Sequence, residues 1–226
     1  MIIGEMCLLI AATVILIGLA KGITARLYVN DHVAVFMIFV IVLLNVRGGI
    51  ELGGNFRLFL GGALSVVLSV LFLAKRAETP FDAVYAMVAM LVNVGITLLY
   101  SLHFTDVVRL DMRLLAVLLS LLVGVWSAVA PKRTFASCLF TAVTGSFIGI
   151  TLWQILFRKG GDIGGSYAFA VMWLGALIGV LVQYLFSFVL RMTRHPRANS
   201  LFEAGELKEK EAEENASLHD DKKDNA

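Results

Sequence analysis

Apolar residues in this chain are gathered into long runs, and the length of each run is the first structural signal. A membrane-spanning helix needs about 20 mostly apolar residues, with about 17 as the lower bound, because the hydrocarbon core is about 30 Å thick and a helix rises about 1.5 Å per residue. Residues 58–74, 83–102, 114–130, 134–157 and about 163–190 are apolar runs without an ionised side chain. Residues 2–20 form another, interrupted only by Glu5, and residues 33–46 form a shorter one that carries Asn45 at its end. Pro80 and Pro131 fall between runs and Pro196 beyond the last, where a missing N–H does not break a helix. The pattern predicts an all-α fold, a polytopic transmembrane helix bundle of six or seven spans, with seven favoured. Whether residues 33–46 span or dip in and return decides the count.

Short connections exclude a large domain outside the membrane. Only Pro131, Lys132 and Arg133 separate the runs 114–130 and 134–157, so those helices should form an antiparallel hairpin. Residues 1–20 do not read as a cleaved signal peptide, because Glu5 precedes the apolar core and Lys21 and Arg26 follow it. For seven spans, nine Lys and Arg near span ends fall on the side of the 21–32 connection and six on the opposite side. The positive-inside rule then puts the N-terminus outside and the C-terminus in the cytoplasm of a cell-membrane protein, and a six-span count moves only the N-terminus.

Composition sharpens this picture. Of 226 residues, 59% are hydrophobic and 16% charged, and the mean hydropathy is +0.85, which fits neither a soluble nor a disordered chain. The net charge of +2 hides two parts: residues 1–197 hold 15 Lys/Arg against 8 Asp/Glu, and residues 198–226 hold 4 against 9. The expected division is a transmembrane helical domain at 1–190 and a charged, partly disordered cytoplasmic tail at 191–226. Arg191, Arg194 and Arg197 form a basic collar suited to anionic headgroups, and Ser200 to Glu203 fits a helix-capping box. Cys7 and Cys138 lie within apolar runs and read as small hydrophobes, not as a disulfide.

The polar inventory of the runs is thin. Glu5 is the only acid in a run, and its place near the start of the first one puts it among headgroups. Without a titratable group at depth, proton-coupled transport through a mid-membrane carboxylate is not expected. Asn93 sits mid-run, where an amide ties helices together or contacts a solute. Thr144, Thr151 and Gln154 share one helix face, and with Asn93 they are the candidate lining of a cavity. His32, His103, His195 and His219 all fall outside runs, so no metal cluster, nucleophile pair or catalytic residue can be assembled, and no cofactor is expected.

Glycines supply the remaining signals. Gly145 with Gly149, and Gly175 with Gly179, each place two small residues one turn apart, a spacing that lets helix backbones approach closely. The stretch from Arg47 to Arg57 contains four glycines that could line an anion nest. It lacks the Lys-Ser/Thr ending of a phosphate loop and reads as a flexible connector. Gly160, Gly161, Gly164 and Gly165 around Asp162 read as a turn into the last helix.

The order Leu60-Gly-Gly-Ala-Leu64, Gly145-Ser-Phe-Ile-Gly149 and Ile163-Gly-Gly165 resembles the multi-pass prokaryotic family catalogued as domain of unknown function 1614 over about residues 20–190. That family continues the first motif into a proline, where this chain has Val66. It continues the second into Ala-Asp with an Asn beyond, where this chain has Ile150, Thr151 and Gln154, and it follows the third with an Asp, where Ala170 stands. The resemblance implies a membrane bundle, no established activity, and none of the chemistry that the two missing acids would support. The leading expectation is a non-enzymatic membrane protein, either a small permease-like bundle or an assembly partner. Its partners would be the lipid bilayer and a second copy or another membrane protein, with no nucleic acid. The alternative is a membrane-embedded enzyme acting on a lipid or peptide.

Overall fold

The computed structural model describes residues 3–18, 30–77, 79–107, 111–129 and 134–189. Within them lie seven helices: α1 (Ile3–Leu16), α2 (Asp31–Val46), α3 (Leu60–Arg76), α4 (Pro80–Val107), α5 (Met112–Val129), α6 (Phe135–Trp153) and α7 (Ser166–Val189). Four are long and apolar enough to cross a membrane, over Pro80–Phe104, Met112–Val129, Phe135–Arg158 and Ser166–Val189. The other three are shorter, at 14, 16 and 17 residues. The run at 58–74 gives a helix that starts only at Leu60, because Leu58 is taken up by a strand. α2 is one continuous helix without a mid-course turn. The chain divides into two compact units, 1–183 and 184–226. Everything below concerns the first.

A three-stranded sheet, which an all-α reading omits, joins two of the connections. β1 (Ile50–Gly53) pairs antiparallel with β2 (Phe56–Leu58), and β2 pairs parallel with β3 (Gly161–Ile163). The stretch read as a flexible connector is therefore a β-hairpin. Its turn needs positive φ, which Gly53 and Gly54 supply at +97° and +64°. Arg57 stands opposite Asp162 in the β2–β3 register, and Arg57 Nη2 also lies 3.5 Å from Glu51 Oε1 in an exposed ion pair.

α6 runs through the middle of the bundle, with fourteen of its nineteen residues buried. A helix packed on several sides needs small side chains, and Ala, Ser, Cys, Thr and Gly recur around its circumference. It starts on Thr134, whose hydroxyl accepts from Ser137 N at 3.3 Å, and ends in a π-turn at Gln154–Arg158 closed by Lys159 at φ +51°. Around α6 the core gathers Leu119, Val123, Val143, Ile150, Val171 and Met172. A second cluster joins Leu8, Ile41 and Phe169.

The pairings fix the directions of the helices. Glu5 meets Asn45 while Leu8 meets Ile41, so α1 and α2 are antiparallel. Asn93 lies against Gly145 and Thr97 against Gly149, so α4 and α6 are parallel. Val123 lies against Gly175 and Ser127 against Gly179, so α5 and α7 are parallel as well. These relations are the ones an up-and-down bundle produces when each helix reverses the last.

Close approach at glycine makes these contacts. A Cβ added to Gly149 would sit 2.8 Å from Thr97 Cβ and 3.0 Å from Val94 O. One at Gly145 would sit 2.7 Å from Asn93 Nδ2, and one at Gly179 would sit 2.7 Å from Cys138 Sγ and 3.1 Å from Gly124 O. A Cβ on Gly175 would be 3.0 Å from Val123 Cγ1. Helical Gly95, by contrast, has nothing within 4 Å of that position. Outward faces are apolar on the short helices too, as with Phe36, Phe39 and Leu43 on α2.

Gly149→Ala should therefore lower thermal stability in detergent by about 1–3 kcal/mol through overpacking against the backbone of α4. Gly95→Ala should leave stability unchanged or raise it by up to about 1 kcal/mol, because alanine favours the helix and meets no neighbour. Gly53→Leu should also destabilise, since the φ of +97° at this turn position strains any side chain. Equal melting of the Gly149 and Gly95 variants would refute the close-packing account.

Candidate functional site

Polar side chains inside the bundle meet at two levels. At the first, α3, α4 and α6 converge. Ser69 Oγ and Thr144 Oγ1 lie 2.8 Å apart, and Asn93 Nδ2 donates to Thr141 O at 2.8 Å. Thr97 Oγ1 donates to Asn93 O one turn back, at 2.6 Å. All of these residues are buried. Two acceptor-capable atoms remain without a partner there, Asn93 Oδ1 and Thr141 Oγ1.

The second level lies toward the sheet. Trp173 Nε1 donates to Ser65 Oγ at 3.2 Å, linking α7 to α3. Gln154 Nε2 donates to Asp162 O at 3.3 Å, linking the end of α6 to β3. Thr151 Oγ1, Gln154 Oε1 and Trp153 Nε1 are buried without partners. The three glycine motifs of the sequence also meet here. A Cβ on Gly62 would lie 2.8 Å from Gly164 Cα, and one on Gly164 would lie 3.0 Å from the Phe147 ring.

The four candidate lining residues are thus not gathered around one point. Thr144 turns to Ser69 on α3 and Asn93 comes from α4 to the same stretch of α6. Gln154 is turned to the loop beyond α6. Thr151 lies two turns past Thr144 on the stripe that joins the two levels. Arg191, Arg194 and Arg197, with the rest of the tail, lie outside the described residues.

Glu5, the third residue of α1, is covered by protein: it is 7% exposed, and Asn45 Nδ2 donates to its Oε1 at 2.6 Å. The physical reason is the seating of α1: Gly4 fits so closely on α7 that a Cβ would meet Ala170 N at 2.9 Å. Glu5, next in sequence, is drawn inside with it. The one acid of the apolar runs is therefore buried against an amide, close to the start of its helix. Sequence carried a signal for this pair, because Glu5 and Asn45 stand at the adjacent ends of two consecutive antiparallel helices. Among the described residues no group of three or more His, Cys, Asp and Glu could hold a metal ion, and His32 and His103 are exposed.

Compared with family models, with curated proteins and with solved structures, the chain gives no match.

The Ser69–Thr144 contact can be tested by a double-mutant cycle with Ser69→Ala and Thr144→Val. A coupling of about 0.6 kcal/mol is expected, typical of a hydrogen bond between membrane helices. Additive losses would show that the two hydroxyls act independently.

Proposed function

We propose that the chain is a polytopic protein of a prokaryotic cytoplasmic membrane that crosses seven times and works as a small, non-enzymatic permease for an uncharged polar solute. The observation that carries this reading is the stripe on α6 and its neighbours. Buried hydroxyl and amide atoms of Asn93, Thr141, Thr151 and Gln154 are left without partners, and such atoms suit hydrogen bonding to a passing neutral solute. The small-residue faces that an assembly partner would present to lipid are filled by this chain's own side chains, which speaks against that role. Gly95, open on α4, is the one feature that favours it. Enzymatic hydrolysis or transfer is disfavoured, because the buried carboxyl is bound to an amide and the described histidines are exposed.

Seven crossings are supported by three features. The helix directions alternate, the connections at 47–59 and 159–165 share one sheet and so one side, and the short helices carry apolar outward faces like the long ones. Helices of 14–17 residues reach about 21–26 Å, a shortfall that local thinning of the bilayer accommodates at modest cost. The excess of Lys and Arg on the opposite side supports an orientation with the sheet outside and the tail in the cytoplasm. Kinship with the family of domain of unknown function 1614 belongs to the same proposal. It is supported by the convergence of the three glycine motifs at one end of the bundle.

Topology is tested by cysteine labelling with an impermeant maleimide on intact cells. Asn55→Cys and Lys159→Cys should label from outside, and Thr79→Cys only after lysis. Labelling of Asn55→Cys and Thr79→Cys from the same side would overturn the seven-span order. Transport is tested by light scattering of proteoliposomes challenged with glycerol and urea. Near-isosteric Thr151→Val should slow the flux several-fold. Flux no faster than in protein-free vesicles would dismiss the permease.

A further inference from the structure

Glu5 and Asn45 form a contact whose chemistry is incomplete as drawn. The residues are 7% and 3% exposed, and Asn45 Nδ2 donates to Glu5 Oε1 at 2.6 Å. One atom of each is left over: Glu5 Oε2 and Asn45 Oδ1 are buried and without a partner. With an ionised carboxyl both are acceptors, and an acceptor buried without a donor costs the solvation it has lost. A carboxylic acid and a primary amide, however, are complementary along two edges. The amide N–H binds the acid carbonyl, and the acid O–H binds the amide carbonyl. The first of these bonds is present, and the two atoms that the second would use are the two left without a partner.

We propose that Glu5 and Asn45 form a proton-binding site, in which a proton on Glu5 Oε2 is donated to Asn45 Oδ1 and closes an acid–amide ring between α1 and α2. The balance is simple: the carboxylate takes a proton from water, one O–H bond forms, and the same proton returns to water on release. Loss of the proton opens the ring and leaves an uncompensated charge between the two helices. The site would then act as a proton-sensitive latch on the α1–α2 pair.

Among the described residues, none supplies a competing charge at the site. α7 covers the site with Phe169 and Ala170, and α3 brings Gly61, where a Cβ would lie 2.7 Å from Asn45 Cβ and 2.6 Å from Ile41 O. On the elements packed here, Asp31 and His32 stand at the far end of α2, and Lys75 and Arg76 at the far end of α3. Cys7 lies two residues on from Glu5 and so points to a different side of α1. Tyr167 and Tyr184 are the titratable residues of α7, and Arg47, just beyond α2, is exposed. Among the described residues none makes an ion pair with Glu5.

The test uses the full-length protein reconstituted in lipid. Glu5→Gln keeps both bonds, since an amide pairs with an amide along the same two edges, but cannot bind the proton. Infrared spectra across a pH series should show a protonated-carboxyl stretching band in the wild type that is missing from Glu5→Gln and shifted in Asn45→Leu. The wild-type melting temperature should fall as the buffer is made alkaline, while that of Glu5→Gln stays level. If Asn45→Leu does not fold, the comparison of wild type with Glu5→Gln decides alone. Identical carboxyl bands and identical pH profiles in those two proteins would overturn the proposal. So would a wild-type melting temperature that rises with added sodium or lithium ion and does not in Glu5→Gln, which would assign the two oxygens to a cation.

Discussion

A polar group inside an apolar helix bundle has no water to turn to, and this constraint shapes the whole structure. Many of the buried side chains answer it according to their length. Short hydroxyls bond back to their own helix: Ser65 to Gly61 O, Thr97 to Asn93 O, Ser120 to Ala116 O and Ser127 to Val123 O. Such bonds satisfy the donor without linking anything. Longer groups reach a neighbour. Asn93 goes to α6, Trp126 to Ala89 O on α4, Trp173 to Ser65 on α3, and Asn45 to Glu5 on α1. The amides and indoles therefore mark which helices touch, and the serines and threonines mostly do not.

Close approach and polar linkage coincide, and that coincidence explains the placement of the glycines. Asn93 can donate to a backbone carbonyl of α6 only if the helices come near enough for a side chain with two rotatable bonds to cover the gap. Gly145 provides that nearness directly beneath it, and Gly149 repeats it one turn on beneath Thr97. Since hydrophobic burial gives no advantage over lipid between helices, dispersion contacts at such small-residue faces and a few hydrogen bonds carry the association. A residue such as Gly95, with neither a neighbour nor a bond, has no share in it.

Much of this was legible in the sequence, and the failures have a common cause. The long helices were readable because each is a run of apolar residues bounded by proline or charge, and their length alone meets the thickness of a bilayer. Glycine pairs announced close packing through their spacing. What sequence could not show was pairing between distant segments. The β1–β2 hairpin alternates only over Ile50-Glu51-Leu52 and Phe56-Arg57-Leu58, three residues on each side of its turn and set among four glycines, and β3 is three residues long. Their strands exist because two connections meet. The burial of Glu5 was hidden for the same reason, because a carboxyl near the start of a helix faces water unless another helix covers it. Here Gly4 docks α1 onto α7 and closes that route.

The sheet also resolves a mechanical difficulty in the first part of the bundle. α1, α2 and α3 are shorter than the four helices that follow, which alone among the described helices are long and apolar enough to cross a membrane. Three attachments hold them at one end. β2, which leads directly into α3, is hydrogen-bonded to β3, which leads into α7; Gly62 on α3 fits against Gly164 just before α7; and Asn45 holds Glu5 beside them. The first two tie the short helices to the long ones through backbone and close packing, which depend little on solution conditions. The third is a single hydrogen bond on an ionisable group. It alone among the three can be strengthened or weakened by a proton, and it sits where α1 has its only polar connection to the rest of the bundle among the described residues. Any signal that loosens α1 without unfolding the core would act most directly at that carboxyl.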